Sequence, residues 1–173
     1  MTIQLADTGQ ATIGDLLAVG VHLEAAAQCF YQGLAEMFRH APEVADFWRR
    51  FAEDEALHGK RLIELRASMS DTRLSEPTDA MMLEAGRKLL IPPLEDRLRE
   101  VRSLDDAYEM AHDLETSETN TIFRFFITEF SQDRRIITAI MHHLDGHVER
   151  LMAGLPAQYA TRAGRVELEA MRS

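Results

Sequence analysis

Acidic residues in the middle of helical apolar stripes constrain the fold of this chain most. Glu24 lies within an apolar repeat of three and four residues that follows Thr12, and Glu55 and His58 share the apolar face of a second helical run that begins at Pro42. Residues three apart on a helix project from one face, so Glu55 and His58 can bind one metal ion. Because a buried carboxylate is costly unless it is paired or metal-bound, the sequence predicts a polar site inside a helical core.

A plainer interpretation of these residues stays open at this stage. A Glu and a His three apart usually lie on a solvated helix surface, and a buried Glu24 can instead be hydrogen-bonded to a partner such as Tyr108 on another helix. The metal interpretation is favoured because three further helical segments also carry acids or imidazoles at core positions.

Composition limits the class of protein. The 173 residues are 46% hydrophobic, which suits one domain over residues 1–173, and the net charge of −10 argues against nucleic acid and anionic lipid as partners. Cys29 is the one cysteine, so no disulfide framework or rubredoxin-type site can form, and we interpret it as a packed thiol. With no leader-like start and no long apolar run, we expect no membrane span and a cytoplasmic location.

Capping signals and apolar periodicity predict an all-α four-helix bundle over residues 12–153, with a long crossover between helices 2 and 3 and a short tail at 154–173. The crossover covers residues 70–103 and includes a short helix from Met81 to Leu90 that Thr78 caps. The predicted main helices run from Thr12 and Asp15 to His40 and Ala41, from Pro42 to about Met69, from Ser103 and Asp106 onward, and from about Ser131 to Ala153.

A weak internal repeat relates the two halves of the chain. The segment DLLAVGVHLE at Asp15 to Glu24 matches DAYEMAHDLE at Asp106 to Glu115 in its first Asp, its final Leu-Glu and several apolar positions. A duplicated helix hairpin produces a pseudo-twofold bundle with two equivalent ligand sets. The repeat therefore favours a paired-metal site.

These residues resemble the rubrerythrin branch of the ferritin-like di-iron carboxylate proteins, and the resemblance spans about residues 12–153. It implies a ferritin-like bundle and an iron site whose ligands are Glu24, Glu55, His58, Glu115 and His147. Glu118 lies at the place of the extra carboxylate that rubrerythrins carry one turn later. In that family this carboxylate and a His exchange as iron ligands with redox state, which implies catalytic roles for Glu118 and His58.

The fourth helix departs from the family pattern. The residue three before His147 is Leu144 where the pattern has Glu, and His143 could reach the site from the adjacent turn. An imidazole cannot bridge two irons as a carboxylate does. We therefore expect two iron ions if the site is intact and one if it is not.

The resemblance implies peroxide reduction or ferrous-iron oxidation. Our hypothesis is a homodimer that binds iron and reacts with peroxide or oxygen. Since the chain lacks a rubredoxin-type domain, we expect a separate electron donor. The competing interpretation is a non-catalytic scaffold or metal-responsive binding protein with a degenerate metal site, in which Leu144 replaces a ligand. A third is a tRNA-hydroxylating or other substrate oxygenase on the same fold, against which the acidic surface argues mildly.

Overall fold

The computed structural model describes residues 10–91 and 93–118, together with residues 130, 150, 151 and 154. Within these residues the regular elements are all α-helices, and the one β feature is an isolated bridge between Thr12 and Pro77. The all-α prediction is confirmed, whereas the predicted fourth helix lies outside the described part of the chain except for Arg150 and Leu151. The helices are α1 (Ile13–Met37), α2 (Pro42–Ser68), α3 (Asp71–Leu74), α4 (Ala80–Leu89), α5 (Leu94–Leu98) and α6 (Leu104–Glu118).

The first two helices form a hairpin whose ends follow from local chemistry. Thr12 caps α1 in a capping box with Asp15, as predicted, and Pro42 occupies the first turn of α2. The helix α1 ends at Met37, a few residues before the predicted end at His40 and Ala41. With only residues 38–41 between them, α1 and α2 pack along their length.

The interior of the hairpin has two hydrophobic clusters with a gap between them. In the aromatic cluster, the residues from α1 begin at Ala27 and those from α2 end at Ala52. In the aliphatic cluster, the residues from α1 end at Leu23 and the residue from α2 is Leu62. The gap between these limits contains Glu24, Glu55 and His58, and we call it the polar layer. Apolar side chains therefore flank the polar layer above and below.

The connection from α2 to α6 packs against α1 through its short helices. A Cβ atom on Gly86 of α4 would lie 2.9 Å from Val19 Cγ1, and one on Gly33 of α1 would overlap Leu98 of α5. Glycine at these two positions therefore allows the helices to approach closely. The predicted short helix exists as α4, but its cap is Asp79, whose carboxylate accepts hydrogen bonds from the Met81 and Met82 N–H groups.

The predicted packing of Cys29 is wrong. Cys29 is exposed, because a helix turns it about 200° from Ala27, whose side chain faces the core. Ile63, an apolar residue of α2, is also 55% exposed, because it lies about 140° around the helix from His58. Both residues fall just outside the stripe that faces the core.

By length and composition α1, a 25-residue and largely apolar helix, could cross a membrane. Half of its most apolar stretch is buried inside the protein, and core helices of soluble proteins share this length and composition. This feature is therefore weak support for a membrane span.

The start of α6 provides a stability prediction. Asp106 accepts hydrogen bonds from the Arg102 and Ser103 N–H groups, and these bonds lower the pKa of its carboxyl below the ordinary 3.8. Because the pKa of this carboxyl is lower in the folded state, its ionised form stabilises the fold at pH values above the ordinary pKa. This contribution is lost as the pH falls through the folded pKa. We expect Asp106→Ala to cost about 1 kcal/mol at pH 7 and less near pH 3, as measured by urea unfolding. An equal cost at both pH values would contradict the assignment.

Candidate metal centre

The helices α1 and α2 bring three predicted ligands together in the polar layer. One potential ligand atom from each of Glu24, Glu55 and His58 lies within 4.8 Å of the other two. His58 Nδ1 is 3.1 Å from Glu55 Oε2, across the three-residue spacing, and 3.5 Å from Glu24 Oε2 on the neighbouring helix. The predicted projection of Glu55 and His58 from one face is therefore present, and Glu24 faces them.

Burial and charge make this group a suitable cation site. Glu24 and Glu55 are each 2% exposed, and the His58 side chain is 12% exposed. When both carboxylates are ionised, they bring a charge of −2 to this group. A divalent cation with a neutral imidazole would bring the group to zero, and carboxylate and imidazole donors suit Fe(II). The residues present therefore fit an iron ion.

Glu115 is also buried, at 4% exposure, so it does not lie on a solvated face of α6. Its Oε1 accepts a hydrogen bond of 2.5 Å from the hydroxyl of Tyr31. Tyr31 lies on α1, seven residues after Glu24. The close ligand group formed by Glu24, Glu55 and His58 does not include Glu115. Glu115 is therefore buried and hydrogen-bonded to a tyrosine of α1.

The role of Tyr31 was missed by sequence reasoning, which considered Tyr108 as the partner of an inward acid. Tyr108 is partly buried on α6, and burial raises the pKa of its phenol above 10.0. The signal that could have identified Tyr31 is its position two turns after Glu24 on the same apolar stripe.

The remaining predicted ligands cannot be placed against this geometry. Glu118 ends α6, but its side chain lies outside the described residues, as do His143, Leu144 and His147. Their metal roles stay predictions. His22 is exposed on α1 and is not part of this group.

Comparison with known proteins identifies the class. The rubrerythrin family model matches residues 15–153, which is well over half of the chain. The chain therefore belongs to the rubrerythrin family, an iron-binding family of the ferritin-like class, as the sequence resemblance predicted. No curated protein and no solved structure gave a match.

Proposed function

We propose that this protein is an iron-binding oxidoreductase that reacts with peroxide or oxygen. One observation carries the proposal: Glu24, Glu55 and His58 are gathered within 4.8 Å in the interior of a chain whose family binds iron. Glu115 is a further proposed ligand, because its buried carboxylate comes from a third helix. Glu118, His147 and His143 are proposed from the family resemblance alone.

Bound iron would supply the electrons that reduce peroxide or oxygen. The residues of this chain would bind the ion and restrict the approach of water. Glu24 and Glu55 provide buried negative charge, and the hydrophobic clusters on either side exclude solvent along the bundle axis. His58 is the most exposed member of the group, so its side lies nearest to solvent and is where we propose that small oxidants enter.

The cellular setting is proposed from composition. The 173 residues contain one cysteine, which cannot form a four-cysteine electron-transfer site, so we propose a separate electron donor. We also propose a cytoplasmic homodimer that binds neither nucleic acid nor membranes, in keeping with the net charge of −10.

The proposal predicts iron stoichiometry and reactivity. Protein titrated with Fe(II) without oxygen is expected to bind one or two ions per chain, and the loaded protein is expected to consume added peroxide or oxygen as its iron is oxidised. Iron content measures the binding, and oxidant consumption measures the reactivity.

Leu144→Glu is expected to raise the iron content, because it restores the carboxylate that the family pattern has at this position.

The alternative function, a non-catalytic scaffold or metal-responsive protein, is favoured by Leu144 alone. It predicts weak iron binding and no oxidant consumption from the loaded protein. Strong binding of one ion without oxidant consumption would favour the metal-responsive form of this alternative. Unchanged iron content in Leu144→Glu would show that the fourth-helix alignment is wrong.

A further inference from the structure

A groove lies on the surface of the protein where α1, α2 and α3 meet. Its volume is 460 Å³, within the range of about 300–1,000 Å³ that is usual for small-molecule sites. The residues of the polar layer do not line it. Most of the lining is formed by apolar side chains, namely Ala18, Val21, Ile63, Ala67, Met69 and Leu74. The groove can therefore hold a small apolar group outside the candidate metal centre.

Ile63 leaves a large apolar surface in contact with water at this groove. Its side chain is one of the exposed large hydrophobic residues of the described chain, and it lies one helical turn before Arg66 on the same helix. A molecule that covers Ile63 would remove this apolar surface from water, which favours binding.

Arg66 also lines the groove, and it is a cation that its own helix does not neutralise. Other arginines of the described residues pair with an acid three positions away, as Arg49 does with Asp46 and Arg99 does with Asp96. One turn from Arg66 the chain has Leu62, Ile63, Met69 and Ser70, so no acid lies at that spacing. Within the described part of the chain the Arg66 guanidinium makes no ion pair. A negative group is therefore the complement that this side of the groove lacks.

The two remaining lining residues limit the charge of that group. His22 of α1 can donate a hydrogen bond through a ring N–H, whereas Asp71 of α3 brings a carboxylate that repels further negative charge. The groove thus suits an anion with a single charge better than a phosphate with two.

We propose that this groove binds a small amphipathic monocarboxylate. The carboxylate of the ligand pairs with the Arg66 guanidinium, whose planar fork of N–H donors matches a carboxylate, and the apolar chain of the ligand covers Ile63. This site is additional to the proposed function, because its residues are not candidate ligands of the iron ion.

The test compares two probes with the same apolar chain, octanoate and octanol, each titrated into the full chain by isothermal titration calorimetry. Octanol covers the same apolar lining but lacks the negative charge. We expect one octanoate to bind per chain, about tenfold or more tightly than octanol, because hydrogen bonds to charged groups contribute more than those between neutral groups.

Three variants assign the binding to this groove. Arg66→Gln is expected to lower octanoate affinity about tenfold, to the level of octanol, and to leave octanol affinity unchanged. Arg50→Gln is the matched control, since Arg50 is an exposed arginine of the same helix outside the groove, and it should retain wild-type affinity for both probes. Ile63→Ser should weaken both probes, and because Ile63 is exposed the change does not disturb the core.

Equal affinities for octanoate and octanol, or no binding of either probe, would overturn the proposal. It would also be overturned if Arg66→Gln and Arg50→Gln bound octanoate equally well. Octanoate that binds to a metal ion instead would be released by a chelator and would be unaffected by Arg66→Gln, which again contradicts this site. None of these outcomes bears on the proposed function, which is tested by Fe(II) binding and oxidant consumption.

Discussion

Replacement of Glu55 by Gln is expected to lower the Fe(II) affinity of the protein at least about 100-fold, which corresponds to about 2.7 kcal/mol. Gln preserves the shape of the side chain but removes one of the two buried negative charges beside His58. Loss of an outer partner of a ligand costs about 10- to 100-fold, so loss of a direct ligand should cost more.

Thermal unfolding with and without Fe(II), under anaerobic conditions, measures this effect. An ion present at 100 times its dissociation constant stabilises the folded protein by about 2.7 kcal/mol, and the same concentration should barely stabilise Glu55→Gln. Glu53→Gln is the control, since Glu53 is an exposed acid on the same helix and its neutralisation makes the same change in net charge. Equal stabilisation of both variants by Fe(II) would show that the ion binds elsewhere.

The features that could be predicted from the sequence are set by residues close together along the chain. The cap at Thr12 and the shared face of Glu55 and His58 follow from spacings of three residues on one helix, and the structure contains both. The burial of Glu24 followed from its place within an apolar stripe. These features need no knowledge of how distant helices meet.

The features that could not be predicted from the sequence depend on how distant helices pack together or on residues at the border of a helix's apolar face. The bond from Tyr31 to Glu115 requires α6 to meet α1 at one level, which no local spacing specifies. Cys29 and Ile63 are apolar residues beside a core-facing stripe, where a small rotation of the helix decides burial. Thr78 and Asp79 are adjacent cap-forming residues, and only the position of the first turn of α4 shows that Asp79 is the cap.

The metal-free protein is expected to become more stable when Glu24 and Glu55 are both replaced by Met. The two carboxylates interrupt the apolar interior between the aromatic and aliphatic clusters. Burial of charged groups costs free energy, whereas burial of apolar side chains of similar size is favourable. Replacement of buried ionic groups by apolar residues often stabilises proteins by about 1–4 kcal/mol. We expect a gain in this range in urea unfolding with a chelator present, as a higher midpoint with an unchanged slope.

The control for this prediction is Glu53→Met, which places the same side chain on the exposed face of α2 and should leave the free energy of unfolding within about 0.5 kcal/mol of the wild type. With Fe(II) present the order should reverse, because the ion stabilises only the chain that retains the carboxylates. A double variant that is less stable than the wild type without metal would mean that interactions inside the protein already compensate these acids. A metal ion would then not be needed to explain their burial, and the polar layer would be a structural network rather than a binding site held at a cost in stability.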